Sequence, residues 1–509
     1  MTANLFSFQP SPQQAAFLDF AAYGQGNAVL EACAGAGKTS TLTQGVGRMR
    51  GTKFLGAFNK SIAAELQKRV RSDGPASQTA IASTMHSAGL AAWRQRHPKA
   101  AVLQNKTRNV FRQLAGERSF DYSARYADYV DDMVGFAMNA GLGLDDPREV
   151  EDDQRWQAIS NHFDADRLLD KRAGANEQTG IRWARLTLKR SLEMCPEAIS
   201  FDEMLYAPLH RGVRVQQFDN VLIDEAQDSS VPRILLAERM LAEGGRLFAV
   251  GDRHQSIYGF AGADASAMQN IAERFDCTVL PLSVSFRCPR AVALYAQQFA
   301  GLHIEPAPDA EEGIARRISL YPGWWRDDKP KPHDAILCRF NAPLVGLAFA
   351  FLRDGVPCRM AGRDELGATL KQLAKRGDSR TIDAVEARLQ DWLAEEIKVA
   401  KLRDKPARAN AAQDAVDTMQ TIIDRCRGMG QHAVTDLVAE IDRLFVKPRQ
   451  PAVLLSSIHK AKGQEWPRVY WIQTMPKFLQ PQEWQQQQEM NLKYVAATRA
   501  MRELVLVQE

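Results

Sequence analysis

The segment Asn27-Ala-Val-Leu-Glu-Ala-Cys-Ala-Gly-Ala-Gly-Lys-Thr39 combines a short apolar strand, a turn of small residues and the start of a helix. This order is typical of a phosphate-binding loop, in which backbone N–H groups surround the phosphates and the helix N-terminus adds its dipole. Lys38 then reaches the β- and γ-phosphates, and the Thr39 hydroxyl is a ligand for Mg²⁺. Ala32 replaces the first glycine of the usual pattern. We therefore expect a nucleoside triphosphate site on an α/β sheet.

Another apolar strand, from Phe218 to Ile223, ends in the adjacent acids Asp224 and Glu225. Acids in this position are poor structural residues, because burying a charge without compensation is costly. Downstream of a phosphate loop they form the second half of an NTPase site, in which Asp224 holds Mg²⁺ and Glu225 orients and deprotonates the attacking water. A further strand from Arg246 to Val250 leads to Gln255, which is placed to contact a γ-phosphate.

The composition limits the compartment and the partners. The 509 residues are too many for one core, so we expect about two to four domains. The net charge of +4 means that a nucleic-acid surface must be a local basic groove. The chain has no run of about 18 apolar residues and no signal-peptide pattern, so we expect no membrane partner. Seven scattered cysteines without a C-x-x-C pair indicate a reducing compartment, and we expect the cytoplasm of a bacterial or phage-infected cell.

Two α/β series follow one another along the chain, and each is interrupted by a polar stretch with apolar residues at helical spacing. We place the strand Val279–Leu282 at the start of the second series. The expected division has four parts, which are 1–91 with 206–275, a helical insertion at 92–205, 276–364 with 449–509, and a short helical insertion at 365–448.

The basic residues of the insertions are expected on solvated faces by default. Lys106 belongs to this group in the first insertion. In the second insertion, the residues from Lys398 to Arg408 are expected on a link between helices, with contact to nucleic acid as the alternative. Further along, Pro476 to Gln488 is expected to be a Gln-rich polar loop.

Several polar and aromatic residues lie near the predicted strand ends, where α/β sheets bind ligands. The amide of Gln13 can donate and accept together, which suits the edge of adenine, although a Gln at a helix start is usually only solvated. Phe58 and His86 follow strands and are either ligand contacts or residues of the core and caps. Tyr258 and Phe260 offer ring faces on which the bases of a single strand can stack.

Several motifs, in their order along residues 9 to 500, resemble those of the UvrD/Rep-type superfamily 1 DNA helicases. Two further stretches, Ala57-Phe-Asn-Lys-Ser-Ile-Ala63 and Ser200-Phe-Asp-Glu-Met-Leu-Tyr-Ala-Pro208, look most like the F-box DNA helicase branch, although no F-box precedes them. The motifs that carry the resemblance are Ala34-Gly-Ala-Gly-Lys-Thr39, Asp224-Glu-Ala-Gln-Asp228, Val250-Gly-Asp with Gln255-Ser-Ile-Tyr258, His459 with Lys462-Gly-Gln-Glu465-Trp466, and Tyr494-Val-Ala-Ala-Thr-Arg-Ala500.

The resemblance implies two RecA-like P-loop NTPase domains with parallel sheets, each interrupted by a helical insertion, and ATP bound between them. Gln13 matches the glutamine that reads adenine, and Phe286 stands where an aromatic ring stacks on the base. Glu465 matches the acid that contacts the ribose. Arg287 and Arg499 match the two arginines that neutralise the transferring phosphoryl group. The phosphate contacts implied are Ala34, Gly35, Ala36, Gly37, Lys38, Thr39 and Ser40.

The resemblance also implies single-stranded DNA and single-strand/duplex junctions as partners, and movement in the 3′→5′ direction. This chain departs from the family at Ala261, where the family usually has Arg at a link between the nucleotide and DNA sites. The residues that fall where the family touches DNA are Phe58, Asn59, His86, Tyr258, Phe260 and His459.

The function expected from these observations is an ATP-dependent DNA helicase that couples hydrolysis to strand separation. One alternative is a translocase that strips proteins from single-stranded DNA with little unwinding. Another alternative, from a different functional class, is a DNA-binding or scaffold protein that is gated by a nucleotide but has no useful ATP turnover. The presence of Glu225 and of both arginines speaks against the scaffold.

Overall fold

A computed structural model gives the three-dimensional structure of the chain. Contacts within it divide the chain into two compact units, one made of Met1–Ala32 and Gly37–Ser283 and the other of Cys33–Ala36 and Val284–Glu509. The structure describes residues 9–57, 60–72, 79–116, 120–169, 174–257, 266–300, 304–362, 366–375, 379–402, 406–446, 450–474 and 483–508.

The first unit alternates strands and helices at both ends of its sequence and is mainly helical in between. The elements are α1 (Pro12–Tyr23), β1 (Asn27–Ala32), α2 (Lys38–Arg48), β2 (Lys53–Ala57), α3 (Lys60–Ser72), β3 (Ala80–Thr84), α4 (Met85–Arg96), β4 (Ala101–Val102), α5 (Lys106–Ala115), α6 (Phe120–Asn139), α7 (Asp153–Phe163), α8 (Glu177–Glu193), β5 (Ala198–Ile199), α9 (Glu203–His210), β6 (Phe218–Ile223), α10 (Val231–Arg239), β7 (Leu241–Gly251), α11 (Ala267–Arg274) and β8 (Cys277–Leu282).

The main sheet of the first unit is parallel, with its described strands in the order β3-β2-β6-β7-β1-β8. Ala28, Val29 and Leu30 of β1 are buried, as expected for a parallel strand covered by helices on both faces. The strand Val279–Leu282, which we placed in the second series, is part of β8 and pairs with β1. That prediction was wrong because the sequence of an apolar strand does not indicate which other strand it pairs with.

The helices between β3 and β6 share a hydrophobic core with this sheet. Trp93 and Trp156 are both buried there, and the indole N–H of Trp93 donates to the carbonyl of Cys195 at 2.9 Å. The short strands β4 and β5 add a parallel pair to this mainly helical region.

Lys106 is buried, although the sequence led us to expect it on a solvated face. Its Nζ donates to Glu203 Oε2 and to the Ser191 carbonyl, each at 2.7 Å. Glu203 Oε1 also accepts from the Ser191 hydroxyl at 2.5 Å. The prediction was wrong because the acid that compensates this charge lies far along the chain.

The second unit has the same alternation, with a helical stretch between β13 and β14. The elements are β9 (Val284–Ser285), α12 (Arg290–Ala300), β10 (Glu305–Pro306), β11 (Ile314–Ser319), α13 (Trp324–Asp328), β12 (Ala335–Cys338), α14 (Ala342–Arg353), β13 (Cys358–Met360), α15 (Ala368–Lys375), α16 (Ile382–Leu402), α17 (Pro406–Gly428), α18 (Val434–Leu444), β14 (Val453–Ser457), α19 (Ile458–Ala461), β15 (Trp466–Ile472), α20 (Glu483–Ala497) and β16 (Ala500–Gln508).

The main sheet of the second unit is also parallel, with its described strands in the order β11-β16-β15-β12-β14-β13. The short strands β9 and β10 form a separate parallel pair. The predicted α/β class with two parallel sheets is therefore confirmed.

The helices α15 to α18 pack onto the second sheet through one hydrophobic core. Ile382, Val385 and Leu389 are buried along one side of α16, as their helical spacing predicts. Asp414 of α17 accepts hydrogen bonds from the backbone N–H groups of Asn341 and Ala342 at 2.9 and 3.0 Å. This carboxylate therefore caps α14 and ties the helical stretch to the sheet.

Two further predictions in this unit were wrong. Lys398 and Lys401 lie within α16, and the buried Arg408 of α17 donates to Glu396 Oε2 at 2.6 Å, so these three residues are not on a link. Arg403 and Lys405, which the prediction included, lie outside the described residues. The predicted Gln-rich loop becomes helical at Glu483, where α20 begins, because Gln is a good helix former. Residues 475–482 lie outside the described residues. Among the described helices, none has the length and apolar character required to cross a bilayer.

Candidate functional site

The phosphate-binding loop lies between β1 and α2, as predicted. Gly35 has a φ of 77° and Gly37 a φ of 73°, in the left-handed region that favours glycine. Gly37 is the N-cap of α2, so the first backbone N–H groups of that helix have no partners within the helix. Together with the half-buried Lys38, Thr39 and Ser40, they provide donors and positive charge for an anion.

Asp224 follows β6 and lies within hydrogen-bonding distance of the start of α2. The Thr39 hydroxyl donates to Asp224 Oδ2 at 2.7 Å, and the backbone N–H of Glu225 donates to Oδ1 at 2.9 Å. Burial raises the pKa of Asp224, and the neighbouring charge of Glu225 raises it further. A bound cation would favour the ionised carboxylate.

The oxygens of Thr39 and Asp224 fit Mg²⁺, which is usually held by one or two carboxylates together with water and substrate phosphates. Among the described residues, no group of three or more His, Cys, Asp or Glu side chains could hold a metal ion. The donor set of Thr39 and Asp224 suits a cation that arrives with a nucleotide.

The sheet order brings three functional loops to one edge. β7 lies between β6 and β1, and the carboxyl ends of parallel strands lie at the same edge of a sheet. Gln255, in the turn after β7, therefore lies between the loop that bears Lys38 and the turn that bears Glu225. Glu225 itself has a φ of 52°, which is uncommon for a residue with a side chain and is typical of functional sites.

Gln13 uses both ends of its amide within the first unit. Its Nε2 donates to the Ser283 hydroxyl at 2.8 Å, and its Oε1 accepts from the Ser283 backbone N–H at 2.7 Å. Ser283 therefore contacts both the donor and the acceptor of the amide that we expected, from the sequence, to contact adenine.

Four residues of the phosphate loop, Cys33–Ala36, belong by their contacts to the second unit. Within that unit, the Ser285 hydroxyl donates to the Ala34 carbonyl at 2.7 Å, and the Phe286 N–H donates to the Gly35 carbonyl at 2.9 Å. A Cβ on Gly35 would lie 2.5 Å from the Cβ of Arg287, so this approach requires glycine. The Phe286 ring is half exposed, as a ring that stacks on a base must be.

The two predicted arginines lie close to one buried thiol of the second unit. Arg287 Nε pairs with Glu465 Oε2 at 2.5 Å, so two predicted nucleotide contacts are in direct contact with each other. Arg499 is buried, and its guanidinium donates to the Val495 carbonyl at 3.0 Å. Burial raises the pKa of Cys288 overall, although the hydrogen bond with Ser285 and the positive charges of Arg287 and Arg499 act in the opposite direction.

Of the predicted DNA contacts, the structure describes His86 and His459. His86 lies in the first turn of α4 and stacks on Phe201, with ring centroids 4.0 Å apart and an interplanar angle of 19°. Burial lowers the pKa of His86 and of His459 to about 3, and nearby positive charges contribute to both shifts. Both rings are therefore neutral near pH 7. Phe58, Asn59, Tyr258 and Phe260, with the departure at Ala261, lie outside the described residues.

Sequence reasoning assigned no role to two residues that the structure brings to these sites. Phe201 keeps 57% of its surface exposed while it stacks on His86. The hydroxyl of the buried Tyr494 accepts from the backbone N–H of Ala34 at 2.8 Å. Phe201 belongs to the motif Ser200–Pro208, and Tyr494 belongs to the motif Tyr494–Ala500. Membership of these motifs could have identified both residues, but the sequence does not indicate which residues they contact.

Comparisons with known proteins match both parts of the chain. Residues 12–276 match the UvrD/REP helicase N-terminal domain, and residues 395–508 match the UvrD-like helicase C-terminal domain. The ATP-dependent DNA helicase PcrA of Staphylococcus epidermidis is 22% identical over 384 residues, which cover 66% of this chain and 49% of the relative. PcrA of Staphylococcus aureus is 21% identical over 379 residues, with the same coverage. The chain thus spans about half the length of the curated relatives it matches.

Proposed function

The chain belongs to the UvrD/REP helicase family, and from that premise we propose that it is an ATP-dependent motor that moves on single-stranded DNA and separates strands at duplex junctions. The observation that carries the proposal is the contact between Thr39 and Asp224 at the sheet edge, beside Lys38 and Glu225. A phosphate-binding loop joined to a pair of acids is the arrangement needed to bind and cleave a nucleoside triphosphate.

In the proposed mechanism, Lys38 and the N–H groups at the start of α2 bind the phosphates. Thr39 and Asp224 would hold Mg²⁺, which supplies neutralisation of charge on the phosphate oxygens. Glu225 accepts a proton from the attacking water, and Gln255 contacts the γ-phosphate.

Arg287 and Arg499 stabilise the negative charge of the transferring phosphoryl group. An arginine in this role contributes about 10³–10⁵ in rate. The ion pair between Arg287 and Glu465 supports an exchange of partners when the nucleotide binds. In that exchange, a phosphate replaces Glu465 as the partner of Arg287, and the carboxylate of Glu465 then contacts the ribose. Gln13 binds the edge of the adenine, and Phe286 stacks on its face.

For DNA, we propose that His86 and the exposed Phe201 form a surface on which a base stacks. Stacking on aromatic rings holds a single strand without regard to sequence, which suits a motor that must pass every base. His459 is a second contact, and Phe58, Asn59, Tyr258 and Phe260 remain predictions. Movement in the 3′→5′ direction is proposed from the family, and the cytoplasm is the expected compartment.

The proposal is tested by ATP hydrolysis measured with and without single-stranded DNA. We expect DNA to stimulate turnover, and Lys38→Ala to abolish it while leaving much of the DNA binding. Lys189→Ala, which changes a lysine on α8 in the first unit, is the matched control and should retain turnover. Undiminished hydrolysis by Lys38→Ala would overturn the assignment of the site.

A further inference from the structure

Gln227 connects the turn after β6 to the end of β7. It follows Glu225 by two residues and is 1% exposed. Its Nε2 donates to Glu225 Oε2 at 2.6 Å. Its Oε1 accepts from the backbone N–H of Asp252 at 3.0 Å. A single side-chain amide therefore joins the carboxylate of Glu225 to the neighbouring loop.

The end of β7 fits closely against this amide. A Cβ on Gly251 would lie 2.6 Å from Gln227 Oε1 and 2.6 Å from the sulfur of Met268, so a side chain at that position would displace the amide. Asp252, the next residue, is fully buried, and its Oδ2 accepts from Gln255 Nε2 at 2.7 Å. A continuous series of bonds thus runs from Glu225 through Gln227 and Asp252 to Gln255.

The type of donor at Glu225 matters for its chemistry. A lysine or arginine in this position would form a charge-assisted bond and make the carboxylate a weaker base. A neutral amide fixes one carboxylate oxygen with less loss of basicity. Since general-base catalysis requires the base within hydrogen-bonding reach of the proton it removes, the orientation of Glu225 must be held.

We propose that Gln227 is a positioning residue for ATP cleavage, which holds the Glu225 carboxylate and ties it through Asp252 to the turn that bears Gln255. This inference rests on the proposed function, in which Glu225 activates water and Gln255 contacts the γ-phosphate. It adds that the position of the base and that of the γ-phosphate contact are coupled through one amide.

The first test is single-turnover cleavage of ATP by Gln227→Met, at saturating single-stranded DNA. Met has a similar length and makes neither hydrogen bond. We expect the cleavage rate to fall by about 10- to 100-fold, as for a misplaced catalytic group, while the affinity for ATP changes by less than about twofold. Gln217→Met, at an exposed glutamine just before β6, is the matched control and should cleave at the normal rate.

A double-mutant cycle with Glu225→Gln separates positioning from a general structural role. If Gln227 acts through the carboxylate, Gln227→Met should slow cleavage by less than about twofold once Glu225 is replaced. A purely structural role would give the same loss in both backgrounds and would overturn the inference. If Gln227→Met does not fold, Gln227→Asn keeps the amide on a shorter side chain, and the same cycle applies.

The outcomes also distinguish this inference from the proposed function. Impaired cleavage by Glu225→Gln together with normal cleavage by Gln227→Met would overturn the inference and leave the proposed function intact. Normal cleavage by Glu225→Gln would remove Glu225 as the base and would overturn both.

Discussion

Replacing Phe201 with Ala tests the DNA surface of the first unit most clearly. The Phe201 ring rests with one face on His86, at 4.0 Å between centroids, and 57% of the side chain remains exposed. The ring can therefore accept a base on its outer face. Because Phe201 is largely exposed, its removal leaves little cavity and should not unfold the unit.

The expected loss follows from the stacking energy. A base stacked on an aromatic side chain contributes about 1–3 kcal/mol, so Phe201→Ala should weaken binding of single-stranded DNA by about 5- to 150-fold. Phe201 carries no charge, and burial lowers the pKa of His86 to about 3, so the ring beneath it is neutral near pH 7. The dependence of affinity on salt should therefore be the same in the variant and the wild type.

The assay is fluorescence anisotropy of a labelled oligothymidylate without nucleotide, at two or more salt concentrations. Tyr23→Ala removes another exposed aromatic ring, at the end of α1, and is the matched control. Phe201→Trp should keep the affinity because it keeps a stacking face. An unchanged dissociation constant for Phe201→Ala, or an equal loss in Tyr23→Ala, would refute the reasoning.

Three further predictions concern turnover and stability. Arg287→Ala and Arg499→Ala should each lower kcat at least about 10³-fold with a smaller effect on ATP binding, measured by steady-state hydrolysis; a change confined to KM would contradict their role. Lys106→Met leaves the carboxylate of Glu203 buried without its partner and should destabilise the first unit by about 3–5 kcal/mol in denaturant unfolding, whereas an unchanged midpoint would show that the pair is dispensable. His459 has a native pKa of about 3 against about 6.5 when unfolded, so the unfolded state binds more protons as pH falls below about 6.5. Stability should therefore fall in acid, by about 2 kcal/mol from this group at pH 5, and His459→Gln should reduce that loss.

The strands that carry the chemistry could be predicted closely from the sequence. The strand before the phosphate loop begins at Asn27 as predicted, and the strand before Asp224, Phe218–Ile223, has the predicted bounds. The bounds of these strands are clear because each is a short apolar run that ends where polar residues begin. Such a run is typical of a strand buried in a parallel sheet. The phosphate loop is equally clear, since its glycines, Lys38 and Thr39 are adjacent in the chain.

Features that depend on distant partners could not be predicted. The pairing of β8 with β1 and the burial of Lys106 beside Glu203 are set by residues remote in sequence. The bond between Gln227 and Asp252 likewise joins two turns that only the sheet order brings together. The spacing of apolar residues indicates which face of a helix or strand is apolar. It does not indicate which residues that face, or a polar side chain, will contact.

Strand separation on matched duplexes with a single-stranded tail at either the 3′ or the 5′ end tests the central claim most directly. With ATP, we expect the 3′-tailed duplex to be separated by the wild type and not by Glu225→Gln, and no separation without nucleotide. Failure to separate either duplex, with hydrolysis that DNA does not stimulate, would contradict the account of this chain as an ATP-driven DNA motor.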